Sequence, residues 1–121
     1  MPRVVLFECH ADDPERVAAF YRDVFGWEIE RTEDPYYILL RSGGTGEPGI
    51  DGAVMPRVRG SSFTNLVSVT SIDDTMLRCI RAGGEVLMPR RSVSGVGRVA
   101  YCADAEGNVF GLLEQVNGQE R

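Results

Sequence analysis

At 121 residues, 43% apolar and 26% charged, the chain has the composition of an ordinary folded domain, and one unit over residues 1–121 is expected rather than two. A formal net charge of −5 excludes a broadly basic face, so nucleic acid is not an expected partner. No apolar run reaches membrane-spanning length, and the opening MPRVVLFE lacks a signal-peptide pattern, so no membrane contact and a cytoplasmic setting are expected.

Val4 to His10 reads as a strand of apolar residues with Glu8 among them. Asp13 before Pro14 is a helix start, with the aspartate as cap and proline at the first helical position. Val17, Phe20, Tyr21, Val24 and Phe25 then recur at helical spacing as one apolar face, and Gly26 stops the helix. Trp27 to Arg31 and Tyr36 to Arg41 read as strands joined by a turn at Asp34-Pro35. A glycine-rich loop runs from Ser42 to Gly49. It does not lead from a strand into a helix, so it is not a phosphate cradle. Ile50 to Met55 closes the first unit, and Pro56 to Ser62 links it to the second.

The same order then repeats. Phe63 to Val69 is a strand, and Ser71 with Asp74 resembles a capping box. Met76, Leu77 and Ile80 supply the helix face, and Gly83-Gly84 ends it. Glu85 to Met88, Arg98 to Ala103 and Asn108 to Glu114 are strands, with Arg90 to Gly97 expected as a polar loop. Asn117 to Arg121 is expected to fray. The architecture is therefore α+β, with two βαβββ modules (about 3–56 and 62–116) forming a curved eight-stranded mixed sheet around one cleft.

DDPERVAAFYRDVFGWEI, AGGEVLMPR and GVGRVAYCADAEGNVFGLLE together resemble the vicinal oxygen chelate superfamily of glyoxalases, bleomycin-resistance proteins and extradiol dioxygenases, in particular its small bacterial glyoxalase-like members. The resemblance implies one divalent metal held by His or Gln, Glu, His and Glu on the first, fourth, fifth and eighth strands. Laid over this chain, those places read Leu6, Gly52, Asn65 and Gly111. Leucine and glycine have no donor atom, and one neutral asparagine is a poor ligand, so no metal and no cofactor is expected. A shift of one residue in that alignment turns each strand to its other face.

Alternation on the first strand puts Leu6, Glu8 and His10 on one face. Glu8 is the best catalytic candidate, as an acid/base or a ligand acceptor in a partly apolar pocket. The competing reading is a carboxylate paired with an inward Arg or Tyr. His10, the single histidine, is expected to be structural or at the surface. Asn65 and Tyr101 are polar pocket candidates, while Trp27, Tyr36, Tyr37 and Met55 are candidate walls that also suit a core. Glu114 lies on the opposite face from Gly111 unless that strand bulges. Arg90, Arg91 and Arg98 border the long loop, where a solvated loop is the expectation for the first two and an anion clamp the alternative. Cys9, Cys79 and Cys102 have no metal-like spacing and read as small buried thiols in a reducing compartment. No serine or cysteine stands in register with a partner histidine.

The expected function is binding of a small organic molecule in the cleft, and the resemblance implies a homodimer. The alternative is a glyoxalase-type lyase or isomerase, or a dioxygenase-like enzyme, working through unrecognised metal ligands or metal-free with Glu8 as acid/base. A third possibility, a partner-binding domain, requires a cleft filled by its own side chains.

Overall fold

The computed structural model describes residues 1–115, so the tail expected to fray, Asn117 to Arg121, lies outside the described residues. The first module is β1 (Arg3–His10), α1 (Pro14–Phe25), β2 (Glu28–Arg31), β3 (Ile38–Arg41) and β4 (Asp51–Met55). The second is β5 (Phe63–Ser68), α2 (Ile72–Arg81), β6 (Glu85–Val93), β7 (Gly97–Ala103) and β8 (Val109–Glu114). All eight strands join one open mixed sheet in the order β2-β3-β4-β1-β5-β8-β7-β6. β1 pairs with β4 in parallel, and β5 pairs with β8 in parallel, because each helix serves as a crossover. The modules meet at the centre, where β1 and β5 run antiparallel with Leu6 opposite Leu66 and Glu8 opposite Thr64.

The helix starts follow the local chemistry read from the sequence. Asp13 accepts from the Arg16 N–H at 3.2 Å, and Ser71 Oγ accepts from the Asp74 N–H at 3.1 Å. Gly26 takes the left-handed cap at φ 75°, a conformation that penalises a side chain.

Both apolar helix faces differ from expectation. On α1 the buried strip is Ala18 flanked by Val17 and Tyr21, while Phe20, Val24 and Phe25 are each more than half exposed. On α2 Ile72, Met76 and Cys79 pack, and Leu77 and Ile80 face outward. Each helix rests on the sheet along a narrow line, so part of a broad apolar stripe stays uncovered. The expected loop Arg90 to Gly97 is also corrected. β6 continues through it to Val93, pairing Arg91 with Val99 and Val93 with Gly97. Pro89 and the polar residues disguised a strand that turns Val93 into the core and its polar neighbours outward.

Two apolar clusters lie under the helices. The third and largest fills the concave side and draws from both modules, with Tyr37, Leu39, Ala53 and Met55 meeting Leu66, Val99, Tyr101 and Leu113. Among the described residues no helix is long and apolar enough to cross a membrane.

Candidate functional site

Strand alternation sends Leu6, Glu8 and His10 to the concave side, and the structure gathers a polar network around Glu8 there. Glu8 is 0% exposed. Its oxygens accept from the Tyr37 hydroxyl at 2.5 Å, from the Tyr101 hydroxyl at 2.8 and 2.9 Å, and from His10 Nε2 at 3.0 Å. His10 thus bridges two groups, with Nε2 toward the Glu8 carboxyl and Nδ1 toward the Ser61 hydroxyl. Ser61 Oγ in turn accepts from the Val58 N–H at 3.2 Å. Burial, then the adjacent Glu8 charge, pushes both tyrosine hydroxyls well above their usual range, so they remain donors throughout the ordinary pH range. Every buried polar side-chain atom among the described residues has a partner.

This bears on the two readings of Glu8. Its partners are inward tyrosines, Tyr37 just before β3 and Tyr101 on β7, neither of them on a strand beside β1, and no part of Glu8 is exposed. His10 is buried and is part of the same network. Sequence reasoning had placed Tyr37 only as a candidate wall and missed Ser61 altogether. Alternation from Leu39 back to Tyr37 was the available signal for the first. Ser61 sits in an irregular turn far from His10 in sequence, so no periodic signal marked it.

The four places where the resemblance implies metal ligands do not come together. Leu6 is half-buried on the cleft side. A Cβ on Gly111 would fall 2.6 Å from Leu66 Cδ1 and 3.0 Å from Tyr101 Cε1, so that glycine also faces the cleft and its space is filled. Gly52 lies opposite Phe7, and a Cβ there would sit 2.2 Å from the Phe7 ring, on the helix-covered side. Asn65 is exposed between the buried Thr64 and Leu66, which turns it away from the cleft as well. The repeat alignment was one residue out on β4 and β5, where Ala53 and Thr64 take the inward places. Neither change supplies a strong donor, so the metal implied by the resemblance does not fit these residues. Among the described residues no three of His, Cys, Asp and Glu stand close enough to share an ion.

Other expected wall residues divide between the two sides. Met55 and Tyr101 are in the concave cluster, whereas Trp27 stacks on Tyr21 at 5.6 Å beside α1, and Tyr36 is exposed. The arginines expected near the long loop are all paired: Arg90 with Asp73, Arg91 with Asp34 at 2.8 Å, and Arg98 with Glu114 at 2.9 Å. Glu114 also accepts from the Ile72 N–H at 2.8 Å, a partner for the start of α2 that no short-range motif announced. Two of the thiols, Cys9 and Cys102, are poor nucleophiles. Burial raises Cys9, and burial with the neighbouring Cys79 pushes Cys102 up to about 12.

The cleft stays open at its mouth. A hollow of about 380 Å³ lies where β1 begins, β3 and β8 end and the β6–β7 turn leans across, with Leu6, Leu39, Ile50, Val96 and Leu113 in its wall. Arg41 and Asp51 mark its rim 3.2 Å apart, and Arg41 is also held by Glu30 at 2.8 Å.

Known proteins share this architecture. A methylmalonyl-CoA epimerase from Mycobacterium tuberculosis superposes with a TM-score of 0.66 at 17% identity, covering 93% of this chain and 87% of the epimerase. A glyoxalase/bleomycin resistance protein/dioxygenase superfamily member from Vibrio splendidus 12B01 superposes with a TM-score of 0.61 at 17% identity, covering 96% of this chain and all of that one. In sequence, the Mycobacterium tuberculosis protein named "Putative glyoxylase CFP32" is 28% identical over 112 residues. That match takes in 88% of this chain but only 42% of the relative's length. Residues 5–113 match the family described as Glyoxalase-like domain, and to that family the chain belongs.

Proposed function

We propose that this glyoxalase-like domain binds a small, uncharged organic molecule with both apolar and polar groups at the mouth of the inter-module cleft. The observation that carries the reading is the hollow of about 380 Å³, where Leu6, Leu39, Ile50, Val96 and Leu113 stand beside Arg41, Asp51 and Gln115. That size suits a small-molecule site. The charge of the ligand follows from the rim: Glu30 and Asp51 already share Arg41, leaving no surplus cation for a phosphate or carboxylate.

Binding is favoured over turnover because Glu8 has its oxygens occupied by Tyr37, Tyr101 and His10 below the floor. The deep half of the cleft is filled, as a partner-binding domain would require, but the mouth is not. The proposal includes a cytoplasmic setting, which suits the free thiols, and the homodimer implied by the superfamily resemblance.

Ligand-detected NMR with indole and catechol as neutral probes, and propionyl-CoA as the charged comparator, tests the reading. The neutral probes should bind, and Leu6→Trp, which fills the mouth, should abolish that binding. No neutral binding, or binding indifferent to Leu6→Trp, would overturn it.

A further inference from the structure

A second hollow, of about 340 Å³, lies on the other side of the sheet between α1, the end of β1 and the start of β5. Its wall is made of Val17, Phe20, Tyr21 and Phe63, and its rim carries Arg16 and Arg57. Phe20 and Phe63 are 57% and 58% exposed, a large solvent-facing aromatic surface for one small region. The Phe20 and Tyr21 rings meet edge to face at 5.3 Å and 88°, a corner in which a planar group can touch one ring by its face and the other by its edge.

The charge of this hollow is opposite to that of the whole chain. Both charged side chains lining it are arginines, and no carboxylate lines it, although the net charge is −5. Arg57 is fixed through Nε to Asp12 at 2.8 Å and through Nη1 to the Ser61 carbonyl at 2.9 Å, which leaves Nη2 unengaged among the described residues. Arg16 has no ion pair among the described residues. At the inner boundary His10 has both ring nitrogens committed to Glu8 and Ser61, and burial keeps the Cys9 thiol protonated.

We infer that this hollow is a binding site for a small amphipathic acid, with a planar apolar body against the aromatic wall and a carboxylate at Arg16 and Arg57. An apolar interior with cations confined to the rim selects that shape: a fully polar anion gains nothing from the rings, and a neutral hydrocarbon leaves the guanidinium groups unused. The site is separate from the cleft mouth and does not depend on the reading given for it.

The chain supplies its own reporter. Trp27 is the single tryptophan and stacks on Tyr21, so a ligand against Tyr21 should alter indole fluorescence. Titration with phenylacetate and with its neutral counterpart phenylacetamide tests the site. Phenylacetate should give a saturable change and bind about tenfold or more tightly than the amide, as a charge-assisted contact requires. Arg16→Gln should bring the two affinities together, Phe20→Ser should weaken both, and Leu6→Phe in the cleft mouth should change neither. No saturable response, or one unchanged by both Arg16→Gln and Phe20→Ser, overturns the site. A response that vanishes as the protein self-associates also overturns it, because a second copy then fills the hollow.

Discussion

The two faces of β1 are built to opposite ends. On the inner face Glu8 and His10 are buried with every hydrogen-bonding atom engaged, and the concave side closes over them from both modules. On the outer face Phe7 and Cys9 lie with Trp27 and Tyr21 beside α1, whose own Phe20, Val24 and Phe25 stay in solvent. The resemblance directs attention inward, to the places where metal ligands would stand, yet most of that region has become core. Unsatisfied surface lies at the cleft mouth and beside α1. A residue's address within a shared fold therefore does not fix its job.

The comparison is broken most severely by Glu8→Ala. It strands two tyrosine hydroxyls and a histidine N–H in the interior and should cost about 3–5 kcal/mol, measured by urea denaturation. Gly52→Ala should cost about 1–3 kcal/mol, because its Cβ would meet the Phe7 ring at 2.2 Å and force that ring aside. Tyr101→Phe removes one of the donors to Glu8 and leaves the others, so about 1–2 kcal/mol is expected. Equal stabilities for wild type and Tyr101→Phe would show that the tyrosine contributes packing alone.

A smaller effect concerns a tie between the modules. Burial alone would raise Asp34, but the hydrogen bonds from Arg91 and the Tyr36 N–H, with the Arg91 charge, outweigh it and hold its carboxyl below the usual value. A depressed folded value means that the stabilisation is complete above the unfolded value, roughly pH 4, and is lost as pH falls through the folded one. Melting temperatures compared across that acid range should converge for wild type and Asp34→Asn. The smallest expected effect is Phe20→Ser, within about 0.5 kcal/mol, since that ring is already in solvent. A large loss of stability there would mean that the outer face is packed after all.

Much of the fold was legible because its signals are local. Asp13-Pro14, Gly26 and Ser71 mark helix boundaries through neighbouring backbone groups, and the repeated order of elements gives the sheet. Register was not local. Whether Gly52 and Asn65 face the cleft depends on which residue of β1 lies opposite, and one step reverses the answer. Glu8 stood out in the sequence as an acid on an apolar strand. Its partners come from Tyr37, Tyr101 and, through His10, Ser61, positions brought together only by strand pairing across both modules.

The bond from Tyr101 to Glu8 joins residues 93 positions apart, so it cannot form in either half of the chain alone. The β1–β5 ladder likewise needs a strand from each half. Such long-range closure slows folding, because a large loop must be ordered before any of these contacts rewards it. It also makes the halves lose structure together. The slowest-exchanging amides should lie on β1 and β5, and a chain cut at the linker between the modules should yield two fragments that each remain unfolded until mixed.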